Sequence, residues 1–481
     1  MKKFQDNFIW AAGGAAFQIE GATSEGGREP SIWDTFCITH QGVECADVAD
    51  LSYYLFPVDV QKAVELNLKA YRFSISWSRV MKWDAAQNKM VPNEEGLHYY
   101  ETLLRYLKNA NIEAIVTMYH WDLPQSLVDN LGGYAHGGWL SEKIIGHFRE
   151  YSELLFTRFG KSVSMWITLN EPWTFLWQGY SDSGVYAPGL SGSGVYEYIG
   201  AKNALLAHAE SVQLFKRMRV KGLIKENARI TISLNINTQL PLDPKNPKDV
   251  EAADRMYEFF LGWFLRPLVT GDWPLVMKEI VGERLPSFTQ AESALIKNSL
   301  DGVIGINYYT TQLCTTPPAP TTNSPGWGDD VNVNNGYFPK DAIPGGTDIN
   351  GKPLCGWYVG YPPGIRPCLK KITQMAPGID IIITENGFPS SVATKEERAL
   401  SEANMLKVLK GTIEELYNAI TLDKIPLIGY AAWSLMDNYE WGRYTPRFGL
   451  YSVDRDSVDL TRTPKPAALW YAKVAKNNGI E

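Results

Sequence analysis

Short apolar runs of the buried-strand type recur from one end of the chain to the other, separated by stretches with helical spacing. Eight stand out: residues 8–17, 70–77, 114–121, 165–170, 229–235, 302–309, 380–385 and 427–435. Between them, Leu97, Tyr100, Leu104 and Leu107 repeat on one helix face, and 142–159 and 397–420 carry similar patterns. Runs that are apolar throughout belong to strands covered on both faces, the condition of a parallel sheet. Strand and helix alternating in this way predict an α/β fold, a single (β/α)8 TIM barrel over residues 1–481 with long βα loops around its C-terminal mouth.

The strand ends sharpen the picture. Nearly all close on polar or aromatic residues: Gln18, Arg72, His120 with Trp121, Asn170 with Glu171, Asn307 with Tyr309, Glu385 with Asn386, and Trp433. One such end is simply a chain leaving the core. So many at the mouth, where barrels of this kind place their chemistry, point to an active site. Segments 314–363 and 173–194, rich in turn-forming residues, follow the sixth and fourth strands and are read as irregular loops over that mouth.

Charge excludes some partners. With 46 Lys+Arg against 53 Asp+Glu the net charge is −7, so no basic face invites nucleic acid or anionic lipid. No apolar run approaches the roughly 20 residues of a membrane span. The start, Met1-Lys2-Lys3 before an apolar run, mimics a signal peptide but lacks a cleavage site and is read as a buried strand. The five cysteines (Cys37, Cys45, Cys314, Cys355, Cys368) show no CxxC spacing and argue against a zinc site or a complete disulfide framework. They are read as reduced thiols of a cytoplasmic protein, and the chain has no Asn-X-Ser/Thr sequon. The six histidines offer no metal-ligand spacing, and no cofactor motif is present. The 16 Trp and 25 Tyr suit a site that stacks sugar faces, but core packing accounts for them equally well. The oligomeric state is not legible.

Two glutamates have the setting that glycoside hydrolysis needs. That reaction uses one protonated carboxyl to release the leaving oxygen and one ionised carboxylate to attack or to activate water. Glu171 lies in Thr168-Leu169-Asn170-Glu171-Pro172 and Glu385 in Ile383-Thr384-Glu385-Asn386-Gly387. Each follows an apolar run and precedes a chain breaker, which puts it at the mouth. Either alone reads equally as a helix cap or a surface carboxylate; the pair, on the fourth and seventh strands, does not.

Along essentially its whole length the chain resembles the family-1 glycoside hydrolases. The resemblance is carried by Phe8-Ile9-Trp10-Ala11 through Gln18-Ile19-Glu20-Gly21, Tyr71-Arg72-Phe73-Ser74, Tyr119-His120-Trp121-Asp122-Leu123-Pro124, Asn170-Glu171-Pro172, Asn307-Tyr308-Tyr309 and Thr384-Glu385-Asn386-Gly387. It ends with Trp433-Ser434-Leu435-Met436-Asp437-Asn438-Tyr439-Glu440-Trp441 and Arg447-Phe448-Gly449-Leu450. It implies a retaining β-glycosidase acting on terminal β-D-glucosyl residues, and on galactosyl or fucosyl residues as well, with Glu171 as acid/base and Glu385 as nucleophile. It also implies that Gln18, His120, Asn170, Glu440 and Trp441 hold the sugar hydroxyls, that Trp433 stacks on the ring, and that Phe448 and Trp121 line the pocket. Arg72, Asn307 and Tyr309 would surround the nucleophile. Glu440 stands where phospho-glycosidases carry Ser, which favours unphosphorylated sugars, and Glu171 where myrosinase-type thioglucosidases carry Gln. A transglycosylase on the same site would share this pattern; an impaired sugar-binding member would be announced by loss of Glu171 or Glu385, and both are present. The chain departs from the pattern after Glu440-Trp441, where Gly442-Arg443-Tyr444-Thr445-Pro446 is one residue short.

Overall fold

The computed structural model describes residues 2–181, 184–317, 326–346, 355–390 and 394–481. The barrel strands are β1 (Ile9–Gly13), β2 (Ala70–Ser74), β3 (Glu113–Tyr119), β4 (Val163–Asn170), β5 (Arg229–Pro241), β6 (Val303–Thr315), β7 (Asp380–Asn386) and β8 (Leu427–Ala432). Each pairs in parallel with the next, and β8 pairs with β1, so this TIM barrel closes without an edge.

Alternate positions along a strand face the same side, and here that rule separates a dry floor from a polar mouth. Ala11, Ala70, Ile115, Ile167, Val303, Ile382 and Ala431 pack together as one small cluster. Two residues further along, β2 carries Arg72, β3 Thr117 and β7 Thr384, all buried. The register then sets the heights. Glu385 pairs with Asn307 and Asn307 with Asn235, which brings polar groups from three strands to one level, while Asn170 of β4 pairs with Ser233, two residues before Asn235.

The outer helices follow their apolar stripes. Glu94–Asn109 buries Leu97, Tyr100, Leu104 and Leu107, with Glu94 and Glu95 in its first turn and Lys108 in its last. Lys143–Phe159 and Lys395–Thr421 match the other two predicted helices to within two residues.

Four expectations need correction. The first strand stops at Gly13, because the chain turns at Gly13-Gly14 into a short helix, Ala16–Ile19, that carries Gln18. The segment 173–194 is not irregular throughout: its first residues complete the helix Pro172–Tyr180, started by a proline at its first position. The described parts of 314–363 contain the helix Trp327–Val331 and a strand, Asn334–Tyr337, paired antiparallel with β6; its residues 318–325 and 347–354 lie outside the described residues, as do 182–183. Finally, Cys37 and Cys45 are joined by a disulfide, so they are not reduced thiols. Spacing along the chain gave no sign of it, since the pairing requires the loop after helix Ile32–Thr39 to fold back on that helix. Cys314, Cys355 and Cys368 are free and buried.

Candidate active site

Glu171 is the residue at which β4 gives way to the helix Pro172–Tyr180. Its backbone is left-handed, with φ 50°, and its amide donates to the Ser233 carbonyl of β5 at 2.8 Å. Trp121 (φ 75°) and Trp441 (φ 46°) are held the same way. Such backbone costs about 1–3 kcal/mol for a side chain of this size and persists where the surroundings over-determine it, often at functional sites. Here the Trp121 indole N–H anchors the Asn170 carbonyl at 2.8 Å, one residue before the glutamate.

The carboxyl of Glu171 is buried. Its Oε1 accepts from Asn307 Nδ2 and its Oε2 from the Thr174 hydroxyl, both at 2.7 Å. Burial, and then the charge of Glu385, push its pKa up to about 8. It therefore keeps its proton at neutral pH.

Glu385 is held by charge instead. Arg72 Nη1 donates to its Oε1 at 2.6 Å and the Tyr309 hydroxyl to its Oε2 at 2.7 Å. Burial raises this carboxyl too, but Arg72 first and Tyr309 next oppose the rise. With one proton between the two glutamates, the one in contact with a guanidinium is the one that stays ionised. Tyr309 is itself held well above its ordinary range by burial and by Glu385, so it remains a donor.

A polar layer beneath the two carboxyls ties them together. Arg72 also donates to Asn170 Oδ1 at 2.7 Å and to the Thr384 carbonyl at 2.9 Å. Asn307 Nδ2 reaches Asn170 Oδ1 at 3.0 Å, Thr384 donates to Asn307 Oδ1 at 2.6 Å, and Ser233 donates to Thr384 at 2.9 Å. Asn170 Nδ2 lies 3.1 Å from His120 Nε2. Burial and the Arg72 charge keep His120 well below its ordinary pKa, so the ring is neutral, and its Nδ1 has no partner among the described residues.

Nine of the sequence-predicted residues line one pocket of about 490 Å³: Glu171, Glu385, His120, Trp121, Tyr309, Trp433, Glu440, Trp441 and Phe448. Arg72, Asn170 and Asn307 form the layer below. Gln18 stands behind the Glu440 turn, donating to Asn438 Oδ1 at 3.1 Å and to the Tyr439 carbonyl at 2.8 Å. Trp433 donates its indole N–H to Glu440 Oε1 at 3.2 Å, and burial raises the Glu440 carboxyl well above its usual range. Gly387 is required beside them, since a Cβ there would lie 2.0 Å from the Trp433 carbonyl. His208, Trp77 and Trp166 are buried away from the pocket, as their apolar settings imply.

The outer pocket was not foreseen. Trp173 stacks on Phe260 with ring centroids 3.8 Å apart and lies 4.5 Å from Trp177 and 5.1 Å from Trp327. The same pocket is lined by the amides Asn235, Asn237, Gln312 and Asn335. Phe260 sits in a π-helical turn, Glu258–Gly262, which leaves no mark on periodicity. Thr174 was also missed, although it is the third residue of the helix Pro172–Tyr180 and its hydroxyl reaches back to the carboxyl of Glu171 at the helix start.

A model of glycosyl hydrolase family 1 matches residues 1–480. The chain belongs to that family. A raucaffricine-O-β-D-glucosidase of Rauvolfia serpentina is 38% identical, over 97% of this chain and 90% of the relative. Beta-glucosidase 11 of Oryza sativa subsp. japonica is 37% identical, over 98% and 89%. Among solved structures, a rice β-glucosidase mutant in a covalent complex with Glc superposes with a TM-score of 0.88 at 33% identity, covering 98% of each chain.

Proposed function

We propose that the protein is a retaining β-glucosidase that removes terminal non-reducing β-D-glucosyl residues, and galactosyl or fucosyl residues as secondary substrates. The observation that carries this is the contrast between two buried carboxyls in one pocket, Glu171 held protonated and Glu385 paired with Arg72. In the first step a Glu385 oxygen bonds to the anomeric carbon while the glycosidic bond breaks, and the leaving oxygen takes the Glu171 proton. In the second, Glu171 removes a proton from water, whose oxygen displaces Glu385 and restores both carboxyls. An alcohol in the place of water gives transglycosylation from the same intermediate. The likeness to a structure with covalently bound Glc supports the double displacement.

Sugar hydroxyls would be held by His120, Asn170, Gln18 and Glu440, with Trp433 under the ring. The Gln18 Oε1 and His120 Nδ1 atoms, buried without partners among the described residues, suit that role. Glu440 would accept from paired hydroxyls, whose donated bonds favour its ionised form. The aromatic wall beyond Glu171 suits an aglycone with an apolar face.

The test is azide rescue. Glu171→Ala should give a β-glycosyl azide from an activated nitrophenyl glucoside, and Glu385→Ala the α-anomer. The same anomer from both variants would refute the assignment of roles.

A further inference from the structure

The disulfide between Cys37 and Cys45 closes a loop that the hydrolytic reading does not use. That loop folds against residues 439–444, the turn that carries Glu440 and Trp441, and Glu44 and Cys45 hold it there. Glu44 N donates to the Gly442 carbonyl at 2.9 Å, and Tyr444 N donates to Glu44 Oε2 at 3.0 Å. The Tyr439 hydroxyl donates to the Glu44 carbonyl at 2.7 Å, and the Tyr444 hydroxyl to the Cys45 carbonyl at 3.1 Å. On the helix that bears Cys37, Trp33 packs one turn earlier against Trp441, with ring centroids 4.8 Å apart. The turn so held is the one the sequence leaves a residue short, and Trp441 within it is in left-handed backbone.

We infer that the disulfide-closed 37–45 loop positions Glu440 and Trp441, with Glu44 as the positioning residue, so that sugar binding depends on the redox state of Cys37 and Cys45. The inference rests on the reading of Glu440 as a sugar ligand. Tying the loop ends lowers the conformational entropy lost when Glu44 makes its bonds. A dithiol reductant converts the bridge to two thiols and is itself oxidised to a disulfide. The loop then regains freedom, and water competes for the groups that hold the turn. The two catalytic carboxyls are held by Arg72, Asn307, Thr174 and Tyr309, none of which touches this loop, so the effect belongs to binding and not to bond cleavage.

The experiment compares the oxidised protein, the same protein after dithiothreitol, and the Cys37→Ser/Cys45→Ser variant. It measures hydrogen exchange of the 439–446 amides, kcat and KM for a nitrophenyl β-glucoside, and Kd for glucose. Loss of the bridge should speed exchange at Glu440 and Tyr444. It should raise KM and Kd about fivefold, the equivalent of one hydrogen bond, with kcat held within about twofold. In the oxidised protein Glu44→Ala should reproduce this, and Glu44→Gln, which keeps an acceptor for Tyr444 N, should restore binding. Unchanged exchange, faster exchange without a rise in KM, or a silent Glu44→Ala would each overturn the inference; if the cysteine variant does not fold, the Glu44 pair decides. An oxidised wild type that cleaves no β-glucoside would refute the functional reading instead, and the exchange data would still decide whether the clamp exists.

Discussion

Replacing Tyr309 with Phe removes one hydroxyl and little else, and the structure gives the sign of the effect. That hydroxyl donates to Glu385 Oε2 at 2.7 Å, and Arg72 remains on the other oxygen. A hydrogen bond to a charged group contributes about 1.5–3 kcal/mol, and because Tyr309 is half-buried the lower end applies. About 1.5 kcal/mol corresponds to roughly one pKa unit. Since the bond favours the ionised carboxylate, its loss raises the pKa of Glu385. The assay is the pH dependence of kcat/KM on a nitrophenyl β-glucoside, which reports the free enzyme. Its acid limb should move up by about one unit, while the basic limb, set by Glu171, moves by no more than about a few tenths. Stability supplies an independent check. Tyr309→Phe should be less stable than wild type by about 1.5 kcal/mol where Glu385 is ionised, and this gap should close as pH falls through the pKa of Glu385. An acid limb that stays put or moves down, or a stability gap that widens in acid, would refute the reasoning.

Thr174→Val should move the other limb: wild type should lose activity as pH rises through about 8, and removing the hydroxyl that favours ionised Glu171 should carry that limb higher. Glu440→Gln should lower kcat/KM on glucosides by about tenfold or more, since about 1.4 kcal/mol is tenfold. Wild type should cleave glucosides but not 6-phosphoglucosides, whose dianion would meet Glu440; a preference for the phosphorylated substrate in a nitrophenyl glycoside screen would overturn that reading. Asp122 is buried, and burial lifts its pKa to about 8. Between its unfolded value near about 4 and that folded value the native state holds the extra proton, so stability falls as pH rises through this window. Asp122→Asn should therefore match wild type in Tm at about pH 3 and exceed it at about pH 9, and parallel Tm curves would show that Asp122 does not titrate in this way.

Runs that are apolar throughout determined the barrel, because a strand covered on both faces has no polar side to show. The eight strand positions, the helix faces and the placement of Glu171 and Glu385 at strand ends were all legible one segment at a time. The family resemblance added roles for residues such as Tyr309 and Glu440 that periodicity alone does not assign. Three things were decided only by tertiary structure. The first is register, which set Glu385, Asn307 and Asn235 at one height. The second is the outer pocket, where Trp173, Phe260 and Trp327 meet from separate helical segments, one of them a π-turn. The third is the Cys37–Cys45 bridge, with its hold on a turn some 400 residues away along the chain, as from Cys45 to Tyr444. The physical reason is common to all three. Burial and backbone pairing act on a residue and its near neighbours, and leave a trace in the local sequence. A contact between distant segments is chosen by how the whole closed barrel brings its loops together, and no local pattern records it.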